Sequence, residues 1–497
     1  MIAQTFTAIP FGFAGRIVEV ERDSNRGLPA FNIVGMANKT VSESRERVKS
    51  AIVNSNFSFP ATKITVNLAP AELLKDGAFF DLPIALSVLV LSGQLLNTDL
   101  ADRLFVGELS LDGKLRPVRG IINIVQAARE AGFKEVFLPQ VNLPQASLVQ
   151  NIKLIGLTSL QELFLHLKGQ TVISHSPAPT PPSTTHQPSI DQIYGQDFAK
   201  RALIIAAAGR HNLLLSGPPG TGKTMLARAI ISLLPPLTPD EQIATTKLHA
   251  LAGISDQVIS DRPFRSPHHT SSLTAIIGGG NNLKPGEISL AHLGVLFLDE
   301  LPEYPRHILE SLRQPLEDQK ISLSRANQKT TYPANFMLIA TMNPCPCGYF
   351  GDPDHPCKCS TNQISNYQNK LSGPLLDRID LRVNVQKVKT STLLNTLPST
   401  KSTHLDVVKN NITEAVRRQN LRFGAKTRFN GDLDSTEITK FIQLTTQATA
   451  FLQNAADSLK LSARSYFKVI KIAQTIADLE QSESIQTQHL AEALTFR

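Results

Sequence analysis

Gly217-Pro218-Pro219-Gly220-Thr221-Gly222-Lys223-Thr224 is a complete G-x-x-x-x-G-K-T run, set between a strand-like stretch, His211 to Ser216, and a helical one, Met225 to Leu233. Glycines without Cβ atoms let backbone N–H groups wrap phosphate oxygens. The lysine reaches the β and γ phosphates, and the Thr224 hydroxyl ligates Mg²⁺, at a helix N-terminus that favours anions. Strand, loop and helix in this order predict a parallel sheet covered by helices, and short apolar strands do alternate with helical patterns from about Asp191 to Val385.

Working outward, the apolar strand Gly294 to Leu298 ends in Asp299-Glu300, which carries two carboxylates to the sheet edge where α/β folds bind ligands. Asp299 is expected to hold Mg²⁺, and Glu300 to orient and deprotonate the attacking water. A third strand, Asn335 to Thr341, leads to Asn343. An Asn after a strand is by itself an ordinary turn residue, so its candidacy rests on its order behind the other two motifs. The cofactors expected are ATP and Mg²⁺.

The rest of the chain frames this core. At 497 residues, and at roughly 150 residues per domain, about three domains are expected. A hydrophobic fraction of 41% with 19% charged residues describes a globular protein. Thr171 to Ile190 is rich in Pro, Ser and Thr and reads as a linker. Residues 1–170 mix strand-like runs (Lys63 to Leu68, Leu104 to Gly107) with helix-like ones (Ser42 to Asn54, Ile121 to Ala131). Residues 191–388 form the expected nucleotide core. From 389 to 497 the periodicity is helical, as in Thr413 to Asn420 and Tyr466 to Leu479, so a helical lid is expected there. No repeat is evident at periods of 20 to 50 residues, which excludes a solenoid.

The longest apolar stretch, Leu82 to Leu96, is broken by Pro83, Gly93 and Gln94 and is shorter than the ~20 residues that span a bilayer. The first residues lack the pattern of an export signal, so a cytoplasmic location is expected. A net charge of +8 suits an anionic partner without requiring one.

Cys345, Cys347, Cys357 and Cys359 are the chain's four cysteines, spaced C-x-C-x9-C-x-C on a loop rich in Gly and Pro. Four thiolates so placed can close tetrahedrally on Zn²⁺ as a structural site. Reduced free thiols or a redox role remain alternatives, and His355 could replace one sulfur. Ile321 to Tyr332 reads as a hairpin with Arg325 and Lys329 at its tip. Ser266 to Gly286 is a second insertion, with His268, His269 and Gly278-Gly-Gly280.

Several segments together carry a resemblance: Gly27-Leu-Pro-Ala-Phe-Asn-Ile-Val-Gly35, Glu43-Ser-Arg-Glu-Arg47, Thr65-Val-Asn-Leu-Ala-Pro70, Phe80-Asp-Leu-Pro-Ile84, Ser266-Pro-His-His-Thr270 and Asn343-Pro-Cys-Pro-Cys-Gly348. Through them the chain resembles the ComM/YifB family of magnesium-chelatase-like AAA+ proteins over its whole length. The resemblance implies a homo-hexameric, ATP-dependent DNA translocase that promotes branch migration of recombination intermediates during natural transformation. Asn343 then resembles sensor 1, Arg378 in Leu375-Leu-Asp-Arg-Ile-Asp380 the arginine finger offered to a neighbour's nucleotide, and Arg464 in Ser462-Ala-Arg464 sensor 2. A guanidinium suits both arginine roles because it stays charged and spans several phosphate oxygens, although a surface salt bridge is the competing account. In relatives, loops like the hairpin and the 266–286 insertion point into a ring's pore, so Arg325, Lys329, His268 and His269 are candidate contacts to single-stranded or branched DNA.

Residues 1–170 also resemble the Lon-protease domain (ribosomal S5 domain 2-like), through Phe105-Val-Gly-Glu108 and Arg116-Pro-Val-Arg-Gly120. Where such proteases carry Lys-Asp-Gly-Pro-Ser, this chain has Lys75-Asp-Gly-Ala-Phe79, and phenylalanine offers no nucleophile. Proteolysis is therefore not expected. A chelatase-type motor acting on a metal-insertion or protein partner and an ATP-dependent scaffold are the rival readings.

Overall fold

The computed structural model describes residues 3–497 apart from 26, 36–38, 74, 76, 78, 97–99, 172–187, 256, 281–282, 326–327, 389–402 and 425–427. Two compact units result. The first comprises Met1–Pro182, Thr238–Ser260 and Ala326–Thr331; the second comprises Ser183–Leu237, Asp261–Arg325 and Tyr332–Arg497. Most of the expected linker, and the start of the expected helical lid, lie outside the described residues.

The first unit opens with an antiparallel hairpin of β1 (Ala3–Phe11) and β2 (Ala14–Asn25). Next come β3 (Ala30–Val34), α1 (Lys39–Asn54), β4 (Lys63–Ala69), α2 (Asp81–Leu91), β5 (Arg103–Phe105) and the short pair β6 (Glu108–Leu109) and β7 (Leu115–Arg116). After these come α3 (Ile121–Glu130), β8 (Glu135–Pro139), α4 (Leu143–Ala146), β9 (Lys153–Leu157) and α5 (Leu160–Leu167). Seven strands form one mixed sheet in the order β3-β4-β2-β1-β5-β8-β9. Side chains alternate across it, as strand geometry requires: Phe105 and Phe137 join one apolar cluster with α1 and α2, while Leu104, Val136 and Leu138 join another with α3. Helices therefore cover both faces.

An ion pair ties α1 to α2. Asp81 is fully buried and accepts two hydrogen bonds from the Arg47 guanidinium, at 2.9 and 3.1 Å, and one from the Leu109 N–H at 3.2 Å. Burial raises the Asp81 pKa, and the Arg47 hydrogen bonds oppose that rise. Removing one partner of such a pair leaves an uncompensated charge, so Asp81→Ala is expected to cost about 3–5 kcal/mol of stability in urea unfolding followed by circular dichroism. A loss below about 1 kcal/mol would show that the pair contributes little.

Thr238–Ser260 adds a helix, Pro239–Ala252, begun by a Thr238/Glu241 capping box and closed by Gly253 at φ +75°. Its Ile243 packs on the α3 cluster. Its Lys247 is buried, donates to Gln126 Oε1 at 2.7 Å and lies 4.2 Å from the Phe13 ring centroid. Burial brings the Lys247 pKa down to about 8.

The second unit is built on a parallel sheet. After α6 (Asp197–Gly209), β10 (Leu213–Ser216) leads to α7 (Lys223–Ala229), and the remaining strands are β11 (Phe264–Arg265), β14 (Val295–Leu298), β17 (Met337–Met342) and β18 (Leu381–Asn384). Five parallel strands run in the order β11-β14-β17-β10-β18. Between them lie two small hairpins, β12 (Gly278–Gly279) with β13 (Lys284–Pro285), and β15 (Lys320–Arg325) with β16 (Gln328–Pro333). Beyond β18 the elements are helices: Thr403–Phe423, Ser435–Phe441, Thr446–Ser458, Ala463–Leu479 and Thr487–Thr495. One apolar cluster runs from Leu213, Phe297 and Ile339 in the sheet to Ile412, Ile472 and Leu490 in these helices. Among the described residues no helix is long and apolar enough to cross a membrane.

Candidate nucleotide-hydrolysis site

The loop after β10 has the backbone its glycines imply. A Cβ on Gly217 would stand 2.2 Å from the Val385 carbonyl oxygen, and Gly220 and Gly222 lie at φ +79° and +84°, where side chains are strained. The Gly217 N–H donates to Met342 O at 3.2 Å, which fixes the loop to the end of β17. Lys223, at the start of α7, donates to the Gly217 and Pro218 carbonyls at 2.7 and 2.8 Å and to Asn343 Oδ1 at 3.2 Å. Burial lowers its pKa, against the pull of Asp299 and Glu300.

β14 is buried along its length and delivers Asp299 and Glu300 to the same edge. Thr224 Oγ1 stands 3.3 Å from Asp299 Oδ2. Two oxygens on one octahedral Mg²⁺ at about 2.1 Å lie roughly 3 Å apart, so this pair fits the ion. Thr341, on the neighbouring strand, donates its hydroxyl to Asp299 Oδ1 and accepts the Glu300 N–H at 3.0 Å. Glu300 itself sits at φ +52°, an unusual conformation for a residue with a side chain, of the kind that clusters at functional sites. Lys223, Thr224, Asp299, Glu300 and Asn343 thus converge at the carboxyl ends of three adjacent strands, β14, β17 and β10. Sequence reasoning missed Thr341. It also missed Gln196, whose amide donates to the carbonyls of Thr221 at 3.4 Å and Gln386 at 2.6 Å.

Arg378 and Arg464 are not part of that cluster. They share a separate cleft of about 560 Å³, also lined by Arg210, Lys468 and Lys471, and no residue of the 217–224 loop lines it. Arg378 pairs with Glu317 and donates to Pro374 O at 2.7 Å. Arg464, half exposed at the start of the helix Ala463–Leu479, lies 3.8 Å from Glu317 and 3.9 Å from Asp377. The cleft therefore presents guanidinium and ammonium groups over a rim of carboxylates, away from the chain's own Lys223.

The four cysteines come together. Their sulfurs all lie within 4.8 Å of one another, with Cys345–Cys347 at 3.3 Å and Cys357 at 3.6 Å from each of them. The Phe350 N–H donates to Cys345 Sγ at 3.3 Å. Hydrogen bonds from the Tyr349 and Lys358 backbones bring the Cys347 pKa down to about 6. A tetrahedral ion with metal–sulfur distances of about 2.3 Å needs sulfurs roughly 3.8 Å apart, so the donor set fits zinc. His355 stands outside this set, stacked on Tyr349 at 5.1 Å and 3.0 Å from Lys387 Nζ.

The two insertions pack on each other. Tyr332, buried on β16, donates to Leu283 O at 3.0 Å, and a Cβ on Gly278 would come 3.2 Å from Leu323 on β15. Arg325 and Lys329 are exposed near the hairpin tip. Within the first unit, Thr330 comes close to Gly12. His268 and His269 lie ring to ring at 4.1 Å, with His268 Nδ1 2.8 Å from Thr270 Oγ1 and His269 edge-on to Tyr304.

Three family models match the chain: "Subunit ChlI of Mg-chelatase" over residues 20–142, "Magnesium chelatase, subunit ChlI" over 189–393, and "Magnesium chelatase, subunit ChlI C-terminal" over 402–497. Competence protein ComM of Haemophilus influenzae is 41% identical, across 100% of this chain and 97% of its own length. The uncharacterized protein YifB of Escherichia coli is 42% identical, across 97% and 94%. A probable DNA helicase of Arabidopsis thaliana, MCM9, is 28% identical over a shorter region, 35% of this chain and 22% of its own. With a P-loop, paired carboxylates and a parallel sheet in place, and with relatives matched from end to end, the chain belongs to the ComM/YifB family of magnesium-chelatase-like AAA+ ATPases.

Proposed function

We propose that this ATPase is a ring-forming DNA translocase that drives branch migration of recombination intermediates during natural transformation, in the cytoplasm. The observation that carries the DNA part is the packed pair of insertions, Tyr332 on Leu283 and Leu323 close to Gly278, with Arg325 exposed at the end of β15 and Lys329 exposed on β16. Basic side chains on such loops grip phosphates without reading sequence, as a translocase requires. The relatives' names, a competence protein and a probable DNA helicase, support the same reading.

The separation of Lys223 from the arginine cleft supports a ring. Lys223, Thr224, Asp299, Glu300 and Asn343 make one half of a hydrolysis site, with Mg²⁺ held by Thr224 and Asp299. Arg378 and Arg464 make the other half, offered to the next subunit of a closed, head-to-tail ring, which we take to be a hexamer. Mg²⁺ when bound neutralises charge on the β- and γ-phosphates. Glu300 accepts the water's proton, Asn343 positions that water, and Lys223 holds the γ-phosphate. Cys345, Cys347, Cys357 and Cys359 would together hold one structural Zn²⁺, which would brace the loop that follows Asn343.

The test is ATP-driven migration of synthetic three-way and four-way junctions. Arg325→Ala with Lys329→Ala is expected to remove junction migration and DNA stimulation of hydrolysis while leaving basal hydrolysis intact. The slope of log affinity against log salt should shrink by roughly 1.4–1.8 per engaged subunit, at about 0.7–0.9 per lost phosphate contact. Unchanged migration by this variant would remove the hairpin from the DNA path. A wild-type chain that hydrolyses ATP but moves no junction would favour the chelatase-like reading, which rests on the three matched family models.

A further inference from the structure

The cysteine loop touches the nucleotide loop from two directions. At its start, Asn343 is bonded to Lys223 and lies two residues before Cys345, the buried member of the cluster. Directly after Cys347, Gly348 at φ +84° runs so close to the 217–224 loop that a Cβ there would stand 2.6 Å from Pro219 Cδ. Farther along, Asp352 pairs with Lys387 at 2.7 Å, and the adjacent Gln386 carbonyl is held by Gln196, which also reaches Thr221. The segment from 345 to 359 contains no helix or strand, and Phe350, its largest apolar side chain, is 49% exposed. Apolar burial therefore does little to order it, and the sulfur cluster is the cross-link that can fix its shape.

Resting on the zinc reading above, we propose that occupancy of the four-thiolate site by a divalent ion of zinc character sets the ATP affinity of the 217–224 loop. With the ion bound, the loop is closed on itself, Gly348 is pressed to Pro219, and Asn343 is held toward Lys223. Loss of the ion frees the segment to move away from Pro219 and takes Asn343 out of register with Lys223. The site thus regulates nucleotide binding in addition to bracing its own loop. A cell's supply of thiol-binding metal becomes an input to the motor.

The experiment uses the full chain, purified without oxygen, with metal content by mass spectrometry and binding of a fluorescent ATP analogue measured before and after chelation. About one zinc per chain is expected, and its removal should weaken nucleotide binding roughly tenfold, equivalent to about 1.4 kcal/mol. Re-addition of zinc should restore it. Gly348→Ala tests the contact separately: it should weaken binding severalfold even where the metal remains. Circular dichroism confirms that each form is folded.

A chain without metal would overturn both the zinc reading and the coupling. One ion per chain, with affinity unchanged within about twofold after its removal from a folded protein, would overturn the coupling and leave the zinc reading standing. A Gly348→Ala protein that keeps its metal and binds nucleotide like wild type would also overturn the coupling.

Discussion

Glu300→Gln is expected to bind ATP as the wild type does and to hydrolyse it about 10²–10⁴ times more slowly, the span of a positioned general base. Glutamine keeps the shape of the side chain and leaves in place the backbone bond from the Glu300 N–H to Thr341. Only the proton acceptor is lost. Nucleotide binding is expected to rest instead on the 217–224 loop, Lys223 and the Thr224–Asp299 pair, whose contacts the substitution leaves alone. Phosphate release and equilibrium binding of a fluorescent ATP analogue, measured together, separate the two effects. Hydrolysis within about threefold of wild type would mean that another group takes the proton. Junction migration should disappear along with hydrolysis, since the same protein still loads with ATP.

Arg378→Ala is expected to lower hydrolysis by about 10³ or more, the scale of an arginine that stabilises transferred phosphate. The bland explanation is its ion pair with Glu317, a residue 58% exposed. Arg378 itself is 15% exposed, so the pair is only half in solvent and worth about 1 kcal/mol; Glu317→Gln should still leave hydrolysis nearly intact if the arginine's work lies elsewhere. Mixing provides the sharper test. Lys223→Ala and Arg378→Ala proteins, each inactive alone, should regain hydrolysis when combined, because about one interface in four of a randomly mixed ring pairs an intact Lys223 with an intact Arg378. Arg378→Ala mixed with Arg464→Ala should stay inactive if both arginines, which lie in one cleft, serve one neighbour of the proposed ring. Recovery in that last mixture would assign Arg464 to its own subunit's nucleotide.

The hydrolysis site was readable before any coordinates because its chemistry dictates spacing. Glycines must precede Lys223, and two carboxylates must end a buried strand, so the pattern lies within a few residues of chain. Thr341 left no such signal. It is one hydroxyl in an apolar strand, and its partners Asp299 and Glu300 come from β14, a neighbour fixed by sheet order and remote in sequence. The same holds for Arg47 and Asp81, which sit in two quoted family segments whose pairing only the packing of α1 on α2 reveals. Arg378 and Arg464 were recognisable as residue types, but local sequence does not say which way a guanidinium faces. That depends on how the helix Ala463–Leu479 packs on the sheet. The cysteines stood out by spacing, whereas the approach of Gly348 to Pro219 is a purely three-dimensional fact.

The first unit is discontinuous: its core takes in Ile243 from a stretch that ends at Ser260. On the ribosome, the strands and helices that precede the linker emerge first, yet the α3 cluster stays uncovered on one side until some ninety residues more have been made. At ~5–20 residues per second that wait is on the order of ten seconds. During it the part of the α3 cluster that Ile243 will cover stays open, and the 217–224 loop is made before the first unit is complete. The first unit is therefore completed only after synthesis of the second is well under way.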